Sequence, residues 1–101
     1  MIQVVATVRL KPGKFSKYLE SFKSFAAGVR KEKGCIEYFP AVDIDIDSPV
    51  QSLDENVVTI IEKWESLQAL HDHLNTPQFK TNMEKERDMI EEMSVKVLEE
   101  A

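Results

Sequence analysis

Apolar residues recur along this chain with two periods, and each period marks out its own segments. From Ile2 to Leu10, Val4, Ala6 and Val8 alternate with Gln3, Val5, Thr7 and Arg9, the two-residue period of a strand. Lys11-Pro12-Gly13 reads as a turn, because Pro fixes φ and Gly is free to take φ > 0. From Phe15 to Lys33 the period lengthens: Phe15, Tyr18, Leu19, Phe22, Phe25, Ala26 and Val29 share one stripe of a helix, opposite Lys14, Lys17, Glu20, Lys23 and Lys31. Gly28 costs this helix about 1 kcal/mol relative to Ala, which points to close packing there, and Gly34 suits the C′ position that ends it.

Cys35 to Asp45 reads as a second strand, with Pro40 at an edge or a bulge because proline has no N–H to give a ladder. Asp47 to Asn56 is the one long polar loop, of the kind that is either functional or mobile. Asn56 to Glu65 is the third strand, carried by the β-branched run Val57–Ile61. Ser66 opens a short helix with Leu67, Leu70 and Leu74 on one stripe, and Thr76-Pro77 opens another as N-cap and first helical position. That last helix is expected to reach about Glu92, with Phe79, Met83, Ile90 and Met93 inward, before a short strand at Val95–Leu98. The order predicts an α+β fold of the ferredoxin-like type, an antiparallel sheet with helices on one face. The first and third strands are apolar on both faces, through Val4, Ala6 and Val8 with Val5, and Val58 and Ile60 with Val57 and Ile61. Helices can cover only one of those faces, so the pattern predicts a homodimer, sheet against sheet.

Composition narrows the classes. A chain of 101 residues is expected to form a single domain, residues 1–101, burying roughly 60–70% of its unfolded surface. The net charge of −5 argues against nucleic acid as a partner, since phosphate binding calls for a basic surface. No apolar run reaches the roughly 18 residues of a membrane span, so no membrane partner is expected. Met1 leads straight into a strand-like segment and Cys35 is the only cysteine, so the protein is expected to be cytoplasmic.

The chemistry-bearing residues gather between Asn56 and Phe79. His71 and His73 lie two apart, roughly 200° around a helix, and cannot chelate one metal together. Each is either a half-buried structural histidine or a base facing a pocket. Trp64 shares a strand face with Val58, Ile60, Glu62 and, if the strand extends that far, Asn56. It reads either as a core tryptophan or as part of a cavity lining, and Glu62 on such a face needs a partner. Asp43, Asp45 and Asp47 lack the glycine and terminal Glu of a calcium loop and mark a solvated strand edge; no metal site is expected. Residues alone therefore lead to a dimeric α+β domain with a pocket between sheet and helices.

The motifs add a family. VVATVRLKPGK at the start, GCIEY in the middle and EKWES…ALHDHLNTPQF resemble the antibiotic-biosynthesis-monooxygenase family of dimeric α+β barrels, and within it the quinol-monooxygenase branch. That resemblance implies oxidation of a quinol or related polyphenolic aromatic by O₂ with no cofactor, neither flavin, metal nor haem. It implies His73 as the base, Trp64 stacking on or hydrogen-bonding the substrate and Asn56 as a donor. Tyr38, Phe79 and Met83 would line the pocket with Glu62. Two features depart from the pattern: TPQF stands where many members read TPHF, and the loop from Asp45 to Asn56 is longer than usual. The alternative is a member that binds a small molecule, or serves a stress response, without turnover.

Overall fold

The computed structural model describes residues 1–101. Four strands, β1 (Ile2–Leu10), β2 (Cys35–Ala41), β3 (Val57–Trp64) and β4 (Ile90–Leu98), form one antiparallel sheet in the order β2-β3-β1-β4. Helices α1 (Phe15–Val29), α2 (Leu67–Leu74) and α3 (Pro77–Glu86) connect them, and a 3₁₀ turn at Arg87–Met89 leads into β4. This is the ferredoxin-like arrangement the element order predicts.

The core lies between the sheet and the helices. Val4, Ala6, Val8 and Leu10 of β1 pack there beside Val58, Ile60 and Trp64 of β3, all buried. Tyr18, Phe22, Ala26 and Val29 supply the buried stripe of α1. Gly28 is not a packing glycine, because a Cβ built on it meets nothing within 4 Å. Helix α1 ends at Val29, and Gly34 (φ +84°) sits beyond it in the turn before β2. There a Cβ would come 2.5 Å from that of Ala69 on α2, so glycine is required both for the left-handed backbone and for the close approach.

Both caps form as expected: Ser66 Oγ accepts from Ala69 N and Thr76 Oγ1 from Phe79 N, each at 3.1 Å, with Pro77 in the first turn. The face of α2 differs from the leucine stripe. Leu67 and Leu74 are exposed, while Leu70 and His73, three apart, turn inward. Helix α3 stops at Glu86, short of the expected Glu92, so Ile90 and Met93 belong to a nine-residue β4. Its inward side carries Asn82 and Glu86, with Phe79 and Met83 half-buried.

Pro40 lies on β2, an edge strand, and the β2–β3 register shifts between Cys35 and Glu37. Strand β2 ends at Ala41 rather than Asp45, because the acids that follow bind the loop's own backbone. Asp43 Oδ2 accepts from Asp54 N at 2.8 Å and Asp45 Oδ1 from Asp47 N at 2.7 Å. Asp54 in turn pairs with Arg9 of β1.

The second sheet face is apolar in its middle. Val5 pairs with Ile61 and Ile61 with Phe39, one row across three strands, and no helix lies over it. Strand β4 leaves apolar surface on the helix side as well: Met93, Val95 and Val97, in register with Val8, Ala6 and Val4, stay a third to a half exposed. No helix is long and apolar enough to cross a membrane.

Candidate functional site

Helix α2 drives His73 into the core, and the residues around it hold it in one orientation. Its ring is 1% exposed and packs against Trp64 (centroids 4.8 Å apart), Phe79 (5.0 Å) and Tyr38 (5.4 Å). Thr76 Oγ1 donates to the His73 carbonyl at 2.9 Å, fixing the end of α2. His73 Nδ1 lies 2.9 Å from Oε1 of Glu32, in the turn after α1. That turn reaches α2 because of Gly34: its carbonyl accepts from Glu65 N at 2.9 Å, and its missing side chain lets it sit on Ala69.

This contact sets the tautomer. An ionised carboxylate only accepts, so Nδ1 carries the proton and Nε2 keeps its lone pair. Nε2 is the one buried side-chain nitrogen or oxygen without a hydrogen-bond partner. Burial pushes the His73 pKa down, while the bond and charge of Glu32 pull it back up; burial is the larger effect. The result is a neutral imidazole with an unoccupied basic nitrogen, held by a carboxylate, as in catalytic His–carboxylate pairs.

Behind the Tyr38 and Phe79 rings lies an apolar cavity of about 90 Å³ between sheet and helices; His73 and Trp64 are not among its lining residues. Of its eighteen lining residues fifteen are hydrophobic, and the other three are Glu62, Asn82 and Glu86. Tyr38, Glu62, Phe79 and Met83, expected at the site, all line it. Met93, Val95 and Val97 form its β4 wall, the least covered side. The volume is below the roughly 150 Å³ of an apolar cavity that takes benzene, so an aromatic ligand has to spread this wall.

Glu62 finds its partner two residues on. Trp64 Nε1 donates to Glu62 Oε1 at 2.9 Å, both groups buried on the same face of β3. Burial pushes the Glu62 carboxyl up, and the Trp64 bond pulls it partly back. Trp64 is fully buried and its single N–H is spent on Glu62, so it is not free to hydrogen-bond a substrate. It bonds to Glu62 and packs on the His73 ring.

Asn56 is not brought to this cavity. It precedes β3 at the end away from Trp64, exposed, its carbonyl accepting from Leu10 N and its own N–H donating to Asp54 Oδ1, both at 2.8 Å. His71 is exposed. No group of three His, Cys, Asp or Glu side chains is placed to hold a metal ion. Cys35 is half-buried, and burial pushes its thiol up.

Two elements of the site have no local signal. Glu32 is 41 residues from His73, and only the fold joins them. Glu86 lies in a charged run, although Asn82 and Glu86 stand three and seven residues beyond Phe79, the spacing of one helix face.

The model of the family described as "Antibiotic biosynthesis monooxygenase" matches residues 1–85. The Escherichia coli K12 protein named "Probable quinol monooxygenase YgiN" is 34% identical over 101 residues, covering 98% of this chain and 97% of its own. Solved structures share the fold: the crystal structure of PA3566 from Pseudomonas aeruginosa superposes with a TM-score of 0.82 at 22% identity, covering 99% of this chain and 93% of that one. Rv0793 from Mycobacterium tuberculosis gives 0.82 at 20% identity, covering 99% and 94%. With its motifs, its fold and its site on one face of the sheet, the chain belongs to the antibiotic biosynthesis monooxygenase family.

Proposed function

We propose that this protein is a monooxygenase that oxidises a quinol with O₂ in the cavity between sheet and helices, using no resident cofactor. The observation that carries the reading is His73: a buried imidazole held by Glu32, its Nε2 unpartnered, packed behind Tyr38 and Phe79, which line the apolar cavity. The relative named as a quinol monooxygenase supports the substrate class.

A neutral quinol reduces O₂ poorly; its anion does so readily. Nε2 takes a phenolic proton, and the quinolate passes one electron to O₂. The semiquinone and superoxide combine at a ring carbon as a hydroperoxide. Its O–O bond then breaks with loss of water, leaving a hydroxylated quinone. One quinol and one O₂ thus give one hydroxyquinone and one H₂O, all electrons coming from the substrate. The site supplies a base tuned by burial and a dry pocket. His73 does not itself line the cavity, whereas Tyr38 and Phe79, which pack on its ring, do; on this reading one of those rings swings aside to let Nε2 meet the substrate. Tyr38, Glu62 and Met83 hold the substrate.

A second copy of the chain completes the assembly, packing on the row Val5, Ile61 and Phe39 to give the dimeric barrel. The low exposure of His73 favours one competing reading, a protein that binds without turnover. Oxygen uptake with menadiol decides between them. Wild type is expected to exceed autoxidation and His73→Ala to lose about 10²–10⁴-fold; no uptake by wild type, or equal uptake by both, refutes the assignment. Light scattering after size exclusion is expected to give a dimer at micromolar concentration, and a monomer would refute the second copy.

A further inference from the structure

The cavity holds another buried carboxyl, which the chemistry above leaves unused. Glu86 closes α3, is 2% exposed and lines the cavity together with Glu62. Ser21 Oγ of α1 donates to its Oε2 at 3.1 Å. Asn82, one turn earlier on α3, is buried, lines the cavity and stands beside Glu86, whose carboxyl it holds down. Neither Glu62 nor Glu86 has a cation within ion-pair distance; the three ion pairs of the chain are Arg9–Asp54, His73–Glu32 and Arg87–Glu84. A buried carboxylate without a counter-ion is costly, and such a group takes up a proton instead. Burial accordingly pushes both carboxyls up, against Ser21 and Asn82 at Glu86 and against Trp64 at Glu62.

The two acids stand on different layers. Glu62 belongs to β3, in the sheet, and Glu86 to the helix layer. Apart from Asn82 and the hydroxyls of Tyr18 and Tyr38 the remaining lining is apolar, so the two carboxyls are the only acidic groups a ligand meets. A carboxyl accepts from a hydroxyl in either protonation state, and when it carries its proton it also donates to a carbonyl oxygen. It therefore suits a ligand that enters as a quinol and leaves as a quinone.

We propose that Glu86, held by Ser21 and flanked by Asn82, is a specificity-determining residue: it receives the second oxygen of an uncharged aromatic diol whose first oxygen, the one His73 deprotonates, lies on the Glu62 side. The inference rests on the quinol reading and narrows it. A monophenol brings no second hydroxyl to Glu86 and Asn82, a loss that a site built around a hydroxyl discriminates against. An aromatic carboxylate brings a charge beside two acids.

Calorimetry without oxygen tests this apart from turnover. The ligands are 1,4-naphthalenediol and 1-naphthol; the proteins are wild type, Glu86→Gln and Glu86→Leu, each checked for fold by circular dichroism. Wild type is expected to prefer the diol by at least about tenfold. Glu86→Gln keeps a donor and an acceptor and should retain most of that preference. Glu86→Leu should reduce it to within about twofold while binding 1-naphthol no worse. Should Glu86→Leu fail to fold, Asn82→Leu takes its place and is expected to cut the preference at least threefold. Equal binding of the two ligands by wild type, no binding of either, or an undiminished preference in the leucine variant overturns the proposal. Oxygen uptake judges the quinol reading separately. Turnover with a preference indifferent to Glu86 removes Glu86 alone; a Glu86-dependent preference without turnover removes the oxygenase chemistry alone.

Discussion

Replacing Gly34 by alanine tests the geometry on which the His73–Glu32 pair depends. Two costs add at this position. A non-glycine residue at φ +84° loses about 1–2 kcal/mol. The new methyl would sit 2.5 Å from Ala69 Cβ, an overlap that only backbone movement relieves, at about 1–3 kcal/mol. Reduced freedom of the unfolded chain returns about 0.4–1 kcal/mol. The net expectation is a loss of about 1–4.5 kcal/mol. With a urea m-value of about 1.5 kcal/mol per molar, the midpoint should fall by roughly 0.7–3 M. Gly13→Ala is the control, since Gly13 has φ +79° but open space around its Cβ position. It should lose only about 1 kcal/mol. Opening the other side of the contact by Ala69→Gly costs a helix about 1 kcal/mol by itself, yet combined with Gly34→Ala it should leave the protein no less stable than Gly34→Ala alone. Because the turn and α2 must separate, Gly34→Ala should also depress oxygen uptake by loosening Glu32 from His73. Equal losses at Gly34 and Gly13 would refute the reasoning.

Removing the charge of Glu32 by Glu32→Gln takes away the influence that holds the His73 pKa up; the acid limb of the pH–rate profile should move to lower pH and the rate drop at least about tenfold, whereas an unmoved limb would separate Glu32 from His73. Trp64→Phe leaves Glu62 without its donor and opens a small void, at about 2–4 kcal/mol in thermal unfolding, and adding Glu62→Leu should restore part of it; a loss under 1 kcal/mol would contradict the buried bond. The folded pKa of Glu86 lies above the ordinary 4.5, so its favourable contribution is present below 4.5 and is lost as pH rises through the folded value. Glu86→Gln has no such loss, so its stability relative to wild type, read by denaturant titration at several pH values, should increase across that window; a pH-independent difference would argue against a buried acid. His73 slopes the other way, its lowered pKa disfavouring the fold as pH falls below 6.5.

Local signals carried much of the fold. Ser66, Thr76 and Pro77 act at fixed offsets from their helices, and Pro40 excludes β2 from the middle of the sheet. The boundary of α3 was not legible, because Glu84 to Glu92 is charged on every face and only the sheet, by pairing Leu10 with Ile90, decides where helix gives way to strand. The site was legible as a neighbourhood rather than as a mechanism. Glu62 and Trp64 share a face by strand alternation alone. Which acid meets His73, and which of the many glutamates turns inward, depends on tertiary neighbours far off in the chain. The resemblance placed Asn56 at the site, but the loop before β3 holds it elsewhere.

The two rims of the sheet differ in what they can accept. Along β4 nine residues run with no strand beyond them, while β2 presents Pro40, which has no N–H to give an incoming strand. Head-to-tail addition, β4 of one molecule onto β2 of the next, would repeat without end and grow a fibre. Pro40 interrupts that ladder at every junction. The rim left open is self-complementary, so any strand pairing there joins two molecules and leaves no free β4 for a third. One imino acid thus removes a ladder bond from every head-to-tail junction.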